Sequence, residues 1–167
     1  ISTYGVSKLA AEIYAKAYNH EFGTDIRIAR FFNVYGYGQS NNFAIPIFIN
    51  NALENKPIRV FGDGSQTRCF TYVEDIADGV LKVLEKGGTG EAYNIGNNRP
   101  TTIFELAKII KELTGSKSEI IKSDFGKETR LKEREIEYRI PDISKMKTLG
   151  WEPRTIVREG IKKILEK

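Results

Sequence analysis

Helical and strand-like segments alternate along almost the whole of this 167-residue sequence. Apolar residues recur at helical spacing over residues 4–22, and a short apolar run follows in residues 24–32. Such alternation favours an α/β fold, in which helices cover a largely parallel sheet. Further helices are predicted over residues 44–54, 74–84, 101–115, 143–149 and 157–165, and further strands over 58–61, 69–73 and 91–95.

The segments between these elements have the composition of loops and turns. Residues 33–42 are rich in Gly, Asn, Tyr and Ser, which predicts a loop. Gly62-Asp63-Gly64-Ser65 is a strong turn signal directly after a strand. Thr101 or Thr102 should cap the helix that follows, with Glu105 completing a capping box. Residues 116–139 are the least regular and most charged part of the chain, and no element is predicted there.

The charge of the chain does not indicate a nucleic-acid partner. The net charge is +4 and the isoelectric point is about 9.1. Basic residues alternate with acidic ones, most clearly over residues 127–135, which is typical of a solvated segment of mixed charge. No zinc-finger spacing or aromatic RNA-binding signature accompanies them. A moderate positive excess suits a small anionic ligand instead.

Cysteine and histidine are too scarce to build a disulfide or a common metal site. The single cysteine, Cys69, has no partner in the sequence, which fits a reducing cytoplasm. One cysteine and one histidine argue against a His/Cys metal site. No stretch of the sequence approaches the roughly 18 apolar residues that a membrane-spanning helix needs. We therefore expect a protein without a membrane span or a bound metal.

A Tyr-x-x-x-Lys pair, Tyr4 and Lys8, stands at the start of the first predicted helix. This spacing puts the phenol and the ammonium one helical turn apart on one face. A nearby cation favours tyrosinate over tyrosine, so the phenol could act as a general acid and base near neutral pH. The alternative is a pair of surface side chains on an amphipathic helix, and the spacing alone does not decide between them.

Seven short motifs give the pair a context, because they occur together in one order. They are Tyr-Gly-Val-Ser-Lys-Leu-Ala-Ala-Glu (4–12), Arg-Phe-Phe-Asn-Val-Tyr-Gly (30–36), Phe-Gly-Asp-Gly-Ser-Gln-Thr-Arg (61–68), Tyr-Val-Glu-Asp-Ile-Ala (72–77), Tyr-Asn-Ile-Gly (93–96), Asp-Ile-Ser-Lys (142–145) and Leu-Gly-Trp-Glu-Pro (149–153). In this order the chain resembles, over nearly its whole length, the extended short-chain dehydrogenase/reductase family. The resemblance is to its NAD-dependent nucleotide-sugar epimerases and dehydratases.

The resemblance implies the last strands and helices of a Rossmann-type parallel sheet and a smaller carboxy-terminal substrate-binding lobe. Residues 1–35 would end the Rossmann-type domain, and residues 36–167 would form mainly the lobe, with 66–95 returning partly to the sheet. No Gly-x-x-Gly-x-x-Gly follows a strand in these residues, so the pyrophosphate of NAD has no helix terminus to bind. We expect the chain to be the carboxy-terminal half of a longer enzyme, inactive without its NAD-binding half.

The resemblance also assigns roles to the reacting and cofactor-binding residues. Tyr4 would take the proton of a sugar hydroxyl while the same carbon gives a hydride to NAD. Lys8 would bind the nicotinamide ribose and keep Tyr4 ionised. Phe32 would flank the nicotinamide, although a buried strand aromatic is an equally good interpretation.

Substrate contacts follow from the same resemblance. Arg68 would bind the diphosphate through its planar guanidinium, and Asn33 would hydrogen-bond it from the end of a strand. Alternatively, Arg68 forms a surface salt bridge, and Asn33 serves only to form a turn. Lys132 stands where many relatives carry an arginine, and Arg134 could replace it only with a shifted loop. The remaining candidates are Asn42 and Phe43, whose register is open, and Val60 and Phe61, for which base packing and ordinary strand core are both possible.

The activity implied is 4-epimerisation of a UDP-sugar through a transient 4-keto sugar. A 4,6-dehydratase or a UDP-glucuronate decarboxylase shares the initial oxidation and is an alternative. A different class, a non-catalytic sugar-nucleotide-binding or dimerisation module, would also suit the residues as they stand. In the family the helix of Tyr4 packs in a four-helix dimer interface, so a homodimer is expected.

Overall fold

A computed structural model describes residues 2–123 and 138–167 of the chain. Helices and short strands alternate through the described residues, as the apolar pattern predicts. The helices are α1 (Thr3–Phe22), α2 (Ala44–Leu53), α3 (Val73–Lys86), α4 (Ile103–Leu113), α5 (Ser144–Thr148) and α6 (Val157–Leu165). The strands are β1 (Ile28–Phe31), β2 (Val34–Tyr35), β3 (Ile58–Phe61), β4 (Thr67–Arg68), β5 (Thr71–Tyr72), β6 (Ala92–Ile95), β7 (Thr101–Thr102), β8 (Ile120–Ser123) and β9 (Tyr138–Arg139).

Strand pairing in the described residues is mainly parallel. β1 pairs with β6, β2 with β5 and β3 with β8, all in parallel, and β4 lies between antiparallel β7 and parallel β9. Parallel pairs with intervening helices define an α/β fold, so the predicted fold class is confirmed.

Two apolar clusters hold these elements together. The larger one packs α2, α4 and α6 around β3, with Val60, Leu106, Ile110 and Ile161 fully buried. The smaller one joins α3 and α5 to β6 through residues that include Ile95, Met146 and Trp151. The indole N–H of Trp151 donates to the carbonyl oxygen of Asp75 at 3.2 Å, which satisfies its polar group inside the cluster.

Two predictions of irregular structure are wrong. The predicted loop 33–42 contains β2, and the charged stretch 116–139 contains β8 and β9. These strands are only two to four residues long, and each is held by a partner far away in sequence. Pairing with a distant strand leaves no mark on local composition. Strands this short, next to charged or glycine-rich residues, are therefore not recognised from the sequence.

Helix α1 has clear ends but little cover among the described residues. The Ser2 hydroxyl accepts a hydrogen bond from the Gly5 N–H at 3.0 Å and caps its start, and Gly23 ends it in the left-handed conformation at φ +63°. None of its residues is buried. Across the described ranges, no helix combines the length and the apolar content needed to cross a lipid bilayer.

Candidate functional site

Tyr4 and Lys8 lie on one face of α1, as their spacing predicts. The ammonium nitrogen of Lys8 lies 5.5 Å from the centroid of the Tyr4 ring, within cation–π range. Tyr4 is 71% exposed, and Lys8 is also exposed. The phenol and the ammonium are therefore adjacent to each other and open to a ligand.

A carboxylate–guanidinium fork attaches the same helix face to strand β1. Arg30 donates from Nε to Oε1 of Glu12 at 2.7 Å and from Nη2 to Oε2 at 2.5 Å. The fork lowers the pKa of Glu12, mainly through the Arg30 hydrogen bonds, and raises the pKa of Arg30. The sequence did not single out this pair, although Glu12 follows Lys8 by one helical turn.

The carboxyl end of β1 is tied to β5 and β6 by hydrogen bonds around Thr71. The Thr71 hydroxyl donates to the Phe32 carbonyl at 2.8 Å and accepts from the Asn97 N–H at 2.9 Å. The Thr71 N–H donates to the Asn33 carbonyl at 3.1 Å. Phe32 and Asn33 are both partly exposed at this edge, where parallel sheets commonly bind ligands.

Asn33 is also joined to the segment that carries Arg68. Its backbone is in the left-handed region at φ +39°, and its side-chain Nδ2 donates to the Cys69 carbonyl at 3.2 Å. Cys69 directly follows Arg68, so the structure links two predicted substrate residues that are 35 positions apart in sequence. Cys69 is buried, and burial raises the pKa of its thiol.

A tight turn leads from β3 into the Arg68 strand. The carboxylate of Asp63 accepts from the Ser65 N–H at 2.9 Å and from its hydroxyl at 2.7 Å, and these bonds lower the Asp63 pKa. The Gln66 side chain donates to the Phe61 carbonyl at 3.1 Å across the base of the turn. Arg68 is partly exposed, with Nη1 donating to the Thr67 carbonyl at 2.7 Å.

Strand β9 brings a second arginine beside Arg68. Arg139 is the register partner of Arg68 in the parallel β4–β9 pair, and it is exposed. Residues in register on neighbouring strands start less than about 5 Å apart on one face of the sheet. Sequence reasoning missed Arg139 because its segment carries mixed charges and pairs with a strand about 70 positions earlier.

The other predicted substrate residues are placed in three different ways. Asn42 and Phe43 are exposed just before α2, and Phe43 is its N-cap residue. Val60 is completely buried in the larger core, the packing role that the sequence left as its alternative, while Phe61 is partly exposed at the end of β3. Lys132 and Arg134 lie outside the described residues.

Comparisons with known proteins find enzymes that modify nucleotide sugars. The model of the NAD dependent epimerase/dehydratase family matches residues 1–96. A putative UDP-glucose 4-epimerase of Methanocaldococcus jannaschii is 41% identical over 99% of this chain and 52% of its own length. UDP-glucuronic acid decarboxylase 3 of Arabidopsis thaliana is 39% identical over 96% of this chain and 46% of its own length.

A solved structure agrees in fold. UDP-glucose 4-epimerase of Thermotoga maritima with UDP-glucose superimposes with a TM-score of 0.90 at 34% identity, covering 99% of this chain and 53% of that one. The chain spans about half the length of the two curated relatives named above. With a family model that covers more than half of its residues, the chain belongs to the NAD-dependent epimerase/dehydratase family.

Proposed function

We propose that these residues belong to a UDP-sugar 4-epimerase that acts through a transient 4-keto sugar. The observation that carries the proposal is the placement of the Tyr4 phenol beside the Lys8 ammonium on an exposed helix face. A phenol in this position can exchange a proton with a sugar hydroxyl, and the ammonium one helical turn away can balance the negative charge that develops. The same group can return the proton to the 4-keto oxygen when the sugar is reduced again, giving a hydroxyl of either configuration.

The residues present fit the nicotinamide end of NAD. The Tyr4 hydroxyl and the Lys8 ammonium are both exposed and can hydrogen-bond the ribose hydroxyls, and Phe32 offers a partly exposed aromatic face at the strand end. Bound NAD supplies the acceptor for the hydride that leaves C4 of the sugar, and the source of the hydride that returns. The part of the chain around Tyr4 moves the proton and orients the hydroxyl that carries it.

The diphosphate of the substrate would bind along the Asn33–Arg68 edge. The Asn33–Cys69 hydrogen bond keeps Arg68 near the end of β1, and Arg139 adds a second cation in register. Guanidinium groups bind phosphate oxygens in a bidentate manner, so two of them suit a diphosphate.

A UDP-glucuronate decarboxylase is the second candidate, and the 39% identical plant relative favours it. Both reactions begin with oxidation at C4. The epimerase then reduces the intact 4-keto sugar, whereas the decarboxylase first releases the C6 carboxylate of UDP-glucuronate as carbon dioxide. A sugar-nucleotide-binding or dimerisation module without catalysis is the third candidate.

Product analysis of the full-length protein separates these candidates. With NAD, UDP-glucose should be converted to its C4 epimer, observed by proton NMR at the anomeric position. Loss of carbon dioxide from UDP-glucuronate to give a pentose would instead support the decarboxylase. UDP binding by calorimetry with no turnover of either sugar would support the module.

Matched tyrosine variants test the catalytic role. Tyr4→Phe should lower kcat by roughly a hundred- to ten-thousand-fold, the range that general acid–base catalysis contributes. Tyr14→Phe is the control, because Tyr14 is equally exposed on the same helix, at 72% against 71% for Tyr4. Near-normal turnover of Tyr4→Phe would overturn the proposal.

We further propose a homodimer formed through α1, in the cytoplasm. The helix exposes apolar side chains that no other described element covers, including Val6, Leu9 and Ile13. Sedimentation of the full-length protein should give a dimer, and Ile13→Glu should shift it towards monomer. Leu84→Glu, at a similarly exposed position on α3, should leave it unchanged.

A further inference from the structure

One face of α1 carries a row of polar side chains that ends on strand β1. Tyr4, Lys8 and Glu12 follow each other at intervals of four residues, so each lies one turn beyond the last. Arg30 reaches across from β1 and takes both oxygens of Glu12, at 2.7 Å and 2.5 Å. The Glu12 side chain is only 19% exposed, against 47% for Arg30, so the carboxylate is turned in towards the strand.

Without Arg30, the nearest cation on the same helix face would compete for this carboxylate. Acidic and basic side chains four residues apart on a helix lie about 5–6 Å apart at Cβ and attract each other. Glu12 stands at this spacing from both Lys8 and Lys16. The cations that act on the charge of Glu12 in the described structure are Arg30 first and then Lys16. Lys8 instead lies against the Tyr4 ring.

The charges around Glu12 determine the effect of removing Arg30. The charge of Lys16 also acts weakly on Glu91, which is itself paired with Lys145, so Lys16 does not balance Glu12 alone. Glu12 has a lowered pKa and is a full anion at neutral pH. If Arg30 lost its charge, that anion would stand one turn from Lys8 with only a shared lysine to balance it.

We propose that Arg30 is a positioning residue, which holds the Glu12 carboxylate away from Lys8 and so keeps the Lys8 ammonium beside Tyr4. This inference depends on the proposed function, because it explains how the Tyr4–Lys8 pair keeps its geometry. Loss of Arg30 lets Lys8 turn to Glu12 and leaves an unbalanced negative charge near the phenol. Both effects weaken the electrostatic support that Lys8 gives to the phenol as a proton acceptor, so turnover should fall on the acidic side of the pH profile.

The test uses three variants of the full-length enzyme with NAD and UDP-glucose. Arg30→Gln should move the acidic limb of the pH profile of kcat upward by roughly half a pH unit, the size expected of one unscreened charge about two turns away. Glu12→Gln breaks the same fork but removes the competing anion, so no upward shift should occur. The double variant Glu12→Gln/Arg30→Gln should return to the wild-type profile.

A second readout does not require turnover. The Tyr4 phenol can be titrated by carbon-13 NMR of ring-labelled tyrosine without NAD, and Tyr4→Phe identifies its signal. The titration should move to higher pH in Arg30→Gln and should not do so in Glu12→Gln or in the double variant. Arg158→Gln is the matched control, because it removes one arginine from an exposed pair with Glu112 on α6 and α4. It should move neither the profile nor the titration.

A purely structural fork gives a different result. Glu12→Gln and Arg30→Gln would then behave alike, and the double variant would not recover; either outcome would overturn the inference. Arg30→Lys provides a milder change, keeping the charge without the fork, and should shift the titration by less than Arg30→Gln. Full activity of Tyr4→Phe would refute the proposed function instead, and the NMR titration would still report on Arg30.

Discussion

The side-chain amide of Asn33 donates a hydrogen bond to the carbonyl oxygen of Cys69 at 3.2 Å. Asn33 lies between β1, which ends at Phe31, and β2, which begins at Val34, and Cys69 follows the arginine that is the best candidate for phosphate binding. The donor residue has φ +39°, a left-handed conformation that asparagine and glycine adopt more easily than other residues. The backbone conformation and the hydrogen bond together set where Arg68 stands relative to the strand end.

We predict that Asn33→Gly weakens UDP binding. Glycine keeps the left-handed backbone and removes only the amide, so the loss of the bond to Cys69 should cost about 1 kcal/mol of unfolding free energy. With Arg68 less firmly placed and the Asn33 amide absent from the proposed diphosphate edge, the affinity for UDP should fall by about tenfold, equivalent to roughly 1.4 kcal/mol. Urea unfolding and isothermal calorimetry with UDP measure the two quantities separately.

Asn55→Gly is the matched control for that substitution. Asn55 also has a left-handed backbone, at φ +53°, and its side-chain oxygen accepts from the Lys117 N–H at 2.8 Å. Its replacement should lower stability by a similar amount and leave UDP affinity unchanged. Equal losses of UDP affinity in both variants would show that general destabilisation, rather than the Asn33–Cys69 bond, controls binding.

Thr71→Val should destabilise the strand ends more than an average threonine substitution. Thr71 is completely buried, and its hydroxyl serves both the Phe32 carbonyl and the Asn97 N–H. Valine has nearly the same shape but leaves both groups without this partner, at a cost of about 2 to 3 kcal/mol. Thr114→Val removes a partly exposed hydroxyl at the end of α4 and should cost less than about 1 kcal/mol. Chemical unfolding of both variants provides the comparison.

The capping box of α4 predicts an acid-sensitive contribution to stability. The Glu105 carboxylate accepts from the Thr102 N–H at 2.9 Å and from its hydroxyl at 3.0 Å, and these bonds lower its pKa, the backbone bond most. A lowered pKa in the folded state means that the contribution is present above the ordinary pKa and is lost as pH falls through the folded value. Glu105→Gln should therefore be less stable than wild type at neutral pH, and the difference should shrink as the pH falls below the ordinary glutamate pKa of about 4.3. An unchanged difference across that interval would contradict the electrostatic part of the argument.

Elements whose signals are local were predicted from the sequence. Strand Ile58–Phe61 and helix Val157–Leu165 have the predicted bounds, and α1 begins one residue before its predicted start. Their apolar spacing and caps lie within the segment itself, so no distant partner is needed to recognise them. Strands such as β4 and β9 are two residues long. β4 pairs with β7 about 35 residues later and with β9 about 70 residues later. A short stretch of sequence does not show which distant strand it will pair with.

The site shows the same division. The spacing of Tyr4 and Lys8 predicted their shared face, and the structure places the ammonium 5.5 Å from the ring centroid. The roles of Asn33 and Arg68 came from the family resemblance, and their connection through Cys69 became visible only in three dimensions. Glu12 and Arg30 come together across 18 positions, and although each belongs to one of the quoted motifs, nothing in the sequence pairs one with the other.

Gly160 of α6 packs against Tyr35, and the contact leaves no space for a methyl group. A Cβ at Gly160 would lie 2.0 Å from the Tyr35 hydroxyl oxygen and 2.7 Å from Cζ, and Tyr35 is 1% exposed. Burial also raises the pKa of that phenol, which stays protonated and donates to the Val157 carbonyl at 3.4 Å. Gly160→Ala should therefore cost about 1 to 3 kcal/mol despite the better helix propensity of alanine. In a Tyr35→Leu background the clash is removed, so the same substitution should be neutral or stabilising by up to about 1 kcal/mol. Urea unfolding of the wild type, the two single variants and the double variant measures the coupling free energy between the two positions. If the two substitutions had additive effects, the proposed contact would not be the cause of the destabilisation.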